Sequence, residues 1–146
     1  MPLSKPVTTP FELDPRLAAD THAVGDFELS RVLLMNDARF PWLILVPRRA
    51  GMRELIDLPV EEQHVLLHEI GRCANALRNM DKPEKLNIAA LGNVVAQLHV
   101  HVIARHLHDA AWPRPVWCGV GERVSYDPNA LQLRLFSLRN ALHIRA

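Results

Sequence analysis

The run Gln97-Leu98-His99-Val100-His101 is where residue type and spacing in this chain could do chemistry. In an extended segment, residues two apart share a face. Gln97, His99 and His101 then line one face, and Leu98, Val100 and Val102 line the other. The apolar set can be buried beneath a helix, which leaves two imidazoles and an amide facing a cleft. Packing alone supplies no reason for that polar stripe. Imidazole is a competent nucleophile towards phosphorus, and its ordinary pKa of about 6.5 keeps it substantially neutral near pH 7. A nucleophilic histidine needs one ring nitrogen bare and the other held as an N–H donor. A nearby backbone carbonyl can accept from Nδ1 and leave Nε2 free. This reading makes His99 the nucleophile.

Other residues carry weaker signals. His106 and His108 alternate ahead of Asp109, and with His99 and His101 they could in principle bind zinc. The chain would have to fold back on itself to join them, and no cysteine supports the cluster, so they read as solvated loop histidines and no metal site is assigned. His64 and His68 lie one helical turn apart without the acidic residue of a zinc-protease pattern, and read as an exposed helix face. Trp112 and Trp117 could wall a base pocket by stacking or could pin a proline-rich loop. Asn36-Asp37 and Gly92-Asn93 are turn formers by type.

These residues need a scaffold, and the pattern of apolar residues supplies one. A short helix or turn is expected over Phe11 to Asp20, and a strand over Phe27 to Met35. Pro41 to Pro47 is an apolar run too short for a core helix and suits a buried strand. Pro59 to Met80 reads as the long helix, with Asp57 as its N-cap, Glu61 and Glu62 in its first turn, and Leu66, Ile70, Cys73 and Leu77 as its buried stripe. Strands follow over Leu86 to Leu91 and Ala96 to Arg105. A long loop runs from His106 to Glu122, and a closing helix from Asn129 to His143. Short links between strands favour an α+β domain with an antiparallel sheet. Residues 1–10 read as an N-terminal arm and 11–146 as a single domain.

Bulk properties narrow the function. A chain of 146 residues with net charge +1 has no global attraction for nucleic acid or an anionic membrane. Any phosphate must be held by a local site. Cys73 and Cys118 are too few for a disulfide framework and read as free thiols in a reducing compartment. The first ten residues carry no apolar run, so a cytoplasmic location is expected.

The segment from Gln97 to Ile103 resembles the signature of the histidine triad (HIT) proteins, in which three histidines alternate with apolar residues. The similarity extends through Leu86-Asn87-Ile88, the Gly92-Asn93 turn, Leu33 to Asp37, the strand ending at Val46-Pro47, and Trp112 to Trp117. It implies a HIT-like fold: a sheet of about five antiparallel strands, one long central helix, a C-terminal helix, and a homodimer. It implies a nucleotide-binding hydrolase or transferase that cleaves nucleoside monophosphate derivatives, either phosphoramidates or dinucleoside polyphosphates, through a nucleotidyl-histidine intermediate. By position, His99 is the nucleophile and His101 contacts the phosphate or leaving group. Gln97 stands at the first triad position, where the backbone carbonyl orients the nucleophile. Asn36 or Asp37 falls where ribose hydroxyls are bound, and Asn87 and Asn93 near the phosphate. The expected ligand is a purine nucleotide or its conjugate. No redox cofactor is implied, though a divalent cation could accompany polyphosphate substrates. Two departures stand out: Gln97 replaces a histidine, and Val94 replaces the hydroxyl residue that usually precedes the triad. An alternative is a nucleotide-binding regulatory module with little activity.

Overall fold

The computed structural model describes residues 9–118 and 121–145. Most of the expected N-terminal arm, residues 1–8, lies outside the described residues. The elements are α1 (Pro15–Asp20), β1 (Thr21–Asp26), β2 (Ser30–Met35), β3 (Trp42–Pro47), α2 (Val60–Asp81), β4 (Lys85–Ala89), β5 (Val100–Arg105) and α3 (Pro128–Leu142). The five strands form one antiparallel sheet in the order β1-β2-β3-β5-β4. The α+β reading, with a long helix and a closing helix, therefore stands.

Central position explains the apolar run of β3. Every residue of β3 and of β5 is buried. One face of the sheet places Val32, Leu34, Leu43, Leu45, Val100, Val102 and Ala104 in a core with Leu66, Cys73 and Leu77 of α2 and Leu138 and Leu142 of α3. The opposite face places Leu33, Trp42, Ile44, Val46 and Ile103 with Leu17 of α1, Phe40, Ala111 and Val116. Only short segments cover this second face, so a cleft can remain open there.

Several boundaries differ from the sequence reading. The strand expected from Phe27 begins at Ser30, because Phe27 N–H turns back to the Ser30 carbonyl at 2.8 Å. The strand expected from Ala96 begins at Val100, since Leu98 N–H leaves the sheet for the Met52 carbonyl at 2.9 Å. Asp57 does not cap α2. Its carboxylate accepts from the Arg53 and Glu54 N–H groups and closes a 3-10 turn at Leu55–Asp57, while Pro59 occupies the N-cap. The stripe of α2 also contains a residue that periodicity could not place. Glu69 is buried, and its carboxylate accepts from Leu29 N–H at 2.9 Å and Ser30 N–H at 3.0 Å. A charged acceptor for two buried donors joins helix to sheet where an apolar residue would leave both N–H groups unpaired.

At Gly25 the bulge in β1 lets the C-terminal tail approach closely: a Cβ would collide with the Ile144 side chain and lie 2.7 Å from the Arg145 carbonyl. No helix among the described residues is long and apolar enough to cross a membrane.

Candidate active site

His99 stands one residue ahead of β5, and His101 lies within it, paired with Ile44 of β3 and Ala89 of β4. Both are buried, at 7% and 5% relative exposure, so neither is a solvated strand histidine. His99 Nδ1 lies 2.7 Å from the Gln97 carbonyl oxygen. A carbonyl can only accept, so Nδ1 carries the proton and Nε2 keeps its lone pair. This is the arrangement the sequence reading required of a nucleophile.

The rings of His99 and His101 meet edge to face with centroids 4.9 Å apart. His101 Nδ1 accepts from the Trp42 indole Nε1–H at 3.0 Å. Burial pushes the His101 imidazole down to about 3, and the neighbouring His99 adds to the effect. His101 is therefore neutral near pH 7. Trp117 packs on the same group, its ring centroid 4.9 Å from His101 and 5.7 Å from Trp42.

These rings border a cleft of about 270 Å³. Trp42, Ile44 and Met35 line it from the sheet, Leu17 and Asp20 from α1, residues 91–95 from the loop after β4, and Trp117 from the long loop. Gly92 has a left-handed backbone with φ of 75°, which lets that loop turn and brings Asn93 to the rim. A larger hollow of about 510 Å³ near Phe11 and Arg48–Met52 has no histidine, cysteine or carboxylate in its lining. Of these two, only the smaller cleft is lined by histidines.

The remaining candidates divide. Asn93 and Trp117 line the cleft. The Gln97 side chain does not. Its Oε1 accepts from Asp14 N–H at 2.9 Å and its Nε2 donates to the Glu12 carbonyl at 2.8 Å. Gln97 thus clips the N-terminal segment while its own carbonyl still orients His99. Asn36 and Asp37, the expected ribose residues, do not line the cleft, and both face the segment ahead of α3. Asn36 accepts from Tyr126 N–H and donates to Ser125 Oγ. Burial works against the Asp37 charge, but Arg39 and the Arg39 and Val124 N–H groups outweigh it and hold the carboxyl below its ordinary value. Asn87 is likewise turned away, accepting from Arg105 Nη1 at 2.9 Å.

Two cleft residues escaped the sequence reading. Asp20, at the end of α1, lines the cleft, and its carboxylate is ion-paired with Arg123 at 2.9 Å. Trp42 reaches His101 only because β3 pairs with β5 in one particular register. Nothing local marks either residue.

His106 and His108 do not join the pair at the cleft. His106 Nε2 lies 2.9 Å from the Asp81 carbonyl. Among the described residues, no group of three or more His, Cys, Asp or Glu side chains is arranged to hold a metal ion.

Comparison with known proteins bears on the family and the fold. The HIT domain family matches residues 16–108. A histidine triad protein from Bradyrhizobium japonicum is 49% identical, with a TM-score of 0.89 over 92% of this chain and 99% of that one. A histidine triad protein from Marinobacter aquaeolei is 44% identical, with a TM-score of 0.89 over 92% and 98% of the two chains. A hypothetical histidine triad nucleotide-binding protein from Sulfolobus tokodaii shares the fold at 13% identity and a TM-score of 0.58, over 84% of each chain. The search of curated proteins returned no match. The chain belongs to the HIT domain family.

Proposed function

We propose that this HIT protein binds purine nucleotides and hydrolyses nucleoside monophosphate derivatives through a nucleotidyl intermediate on His99. The observation that carries this reading is the His99 ring, with Nδ1–H donated to the Gln97 carbonyl at 2.7 Å and the opposite nitrogen bare at a cleft. In the reaction, Nε2 attacks the α-phosphorus and the leaving group departs. Water then attacks the same phosphorus and releases the monophosphate. His101 Nε2–H and the Asn93 amide donate to phosphoryl oxygens, and the Gln97 carbonyl stabilises the positive charge that develops on the His99 ring. Met35, Ile44 and Leu17 supply an apolar bed for the nucleoside, and Trp117 a stacking face. Incubation with an adenylyl anhydride should release AMP. Binding of AMP without any turnover would instead favour the regulatory reading.

Asp20 is the ribose acceptor in this proposal, in place of Asn36 and Asp37. AMP is then expected to bind more tightly than its 2′-deoxy analogue by about 1 kcal/mol or more, as for a lost hydrogen bond to a charged group. Asp20→Ala should abolish the difference, and calorimetric titration of both nucleotides tests it. Equal affinities for wild type would remove the ribose contact.

A homodimer is also proposed. β4 is a sheet edge, and Ile88 within it and Leu91 just beyond are 52% and 48% exposed. Two-fold pairing would cover that edge. Light scattering at low micromolar concentration should report twice the chain mass, and a monomer would refute the pairing. Both cysteines are free, which fits the cytoplasmic location we propose.

A further inference from the structure

The cleft contains donors for hydrogen bonds but no group set to surrender a proton. Among the described residues that line it, the Asn93 amide and the Trp117 indole hold their protons at any ordinary pH. Asp20 is an acceptor already engaged by Arg123. Val94 and Val95 present hydrocarbon. Gln97, beside the nucleophile in sequence, has its amide bound to residues 12 and 14. The His99 proton lies on the Gln97 carbonyl, and its other nitrogen forms the new bond to phosphorus.

That leaves His101, and Trp42 decides what it can do. The indole N–H is a donor only. At 3.0 Å it occupies the His101 Nδ1 lone pair, so the single ring proton must sit on Nε2. A neutral imidazole N–H can hydrogen-bond a phosphoryl oxygen. It can act as an acid only after Nδ1 is protonated, and the indole occupies the place where that proton would go.

Resting on the nucleotidyl-transfer reading above, we infer that Trp42 is a positioning residue that fixes the tautomer of buried, neutral His101 and leaves it a single Nε2–H donor. The site thereby selects nucleotidyl anhydrides, whose leaving group departs unprotonated as a stable oxyanion, over phosphoramidates. The electrons balance without an acid. His99 Nε2 supplies the pair for the new P–N bond. The P–O bond to the leaving group breaks, and its pair departs on a phosphate or carboxylate oxygen. In the second step water forms the P–O bond, the P–N pair returns to His99, and the proton of the water passes to bulk solvent. A phosphoramidate would have to expel an amide anion or find a proton that no cleft group offers.

The test uses the whole chain and one adenylyl group with different leaving groups: a phosphate anhydride, a mixed carboxylic anhydride, an alkylamine phosphoramidate, and aryl esters of phenols of graded acidity. Both anhydrides should turn over at least about a hundredfold faster than the phosphoramidate, the lower end of what general acid catalysis contributes elsewhere. The aryl esters should slow steeply as the phenol becomes less acidic. In folded Trp42→Phe, where His101 stays buried and neutral, the preference for anhydrides should persist while nitrogen-15 spectra gain the Nδ1–H tautomer. Nitrogen-15 spectra of wild-type His101 should show one neutral tautomer, protonated on Nε2, a readout independent of how the variant folds. A phosphoramidate turned over as fast as the anhydrides would overturn the selectivity. An Nδ1–H tautomer in the wild type, or an unchanged tautomer in folded Trp42→Phe, would overturn the role of Trp42. Failure of every adenylyl compound to turn over would instead remove the underlying functional reading, and this inference with it.

Discussion

His99→Ala is expected to lower hydrolysis of an adenylyl anhydride by roughly four orders of magnitude or more, the scale seen when a covalent nucleophile is removed. The reason is geometric. Among the described residues, no other side chain lining the cleft combines a bare nucleophilic nitrogen with a partner that holds its second nitrogen. His101 cannot substitute, because Trp42 occupies its Nδ1 and its Nε2 carries the proton. Folding should survive. His99 lies just ahead of β5, and its one side-chain hydrogen bond is to the carbonyl of Gln97, two residues away. AMP binding should also survive within a few-fold, since the ribose and base contacts we propose lie elsewhere. Steady-state assays, with circular dichroism and calorimetry on the same preparation, check all three. Activity near wild type in a folded variant would end the covalent mechanism.

The largest stability effect is expected at Asp109. The Arg105 side chain is 1% exposed and that of Asp109 5%, and two parallel hydrogen bonds of 2.8 and 3.0 Å join them. Arg105 also donates to Asn87 and to the Arg114 carbonyl. Asp109 accepts from the N–H groups of His106, Ala111 and Trp112. This pair therefore folds the loop that carries Trp117 back onto the sheet. Asp109→Asn leaves the guanidinium buried without its counter-charge and should cost about 3–5 kcal/mol, the range for breaking one side of a buried pair. Urea denaturation would show it, and a loss below about 1 kcal/mol would mean that the pair is screened by solvent.

The same residues set the response to acid. Burial opposes the Asp109 charge, but Arg105 and the three N–H groups hold the carboxyl well below its ordinary 3.8. The unfolded chain then takes up this proton first, so the contribution is present above about pH 4 and is lost as pH falls below it. His101 acts over a higher window. The unfolded chain protonates it below its ordinary 6.5, while the native protein resists until about 3. Stability from this group is complete above 6.5 and declines by about 1.4 kcal/mol per pH unit beneath it.

What could be read from the sequence follows from how local each feature is. The alternation of Gln97, His99 and His101 with Leu98, Val100 and Val102 is a local pattern, and it is enough to bring His99 and His101 together at the cleft. The long helix and the buried central strand were legible for the same reason. Features that depend on contacts far along the chain were not. The Gln97 amide binds residues 83 and 85 positions away, so its clip on the N-terminal segment is invisible locally. Trp42 and His101 are 59 residues apart and meet only through strand register. Asn36 and Asp37 have the type and setting of ligand-binding turn residues. Their partners at 124–126 come from the far side of the chain and divert them to structure. Glu69 sits in an apolar stripe because the two N–H groups it binds belong to another element.

The most direct test of the account is to trap the intermediate. The protein would be mixed with an anhydride labelled in the adenylyl group, quenched in alkaline detergent within milliseconds, digested, and sequenced by mass spectrometry. An adenylyl group is expected on the His99 ring nitrogen, formed and consumed at rates consistent with turnover, and absent from His99→Ala. Turnover with no adenylylated protein at any time, or with the label on another residue, would contradict it.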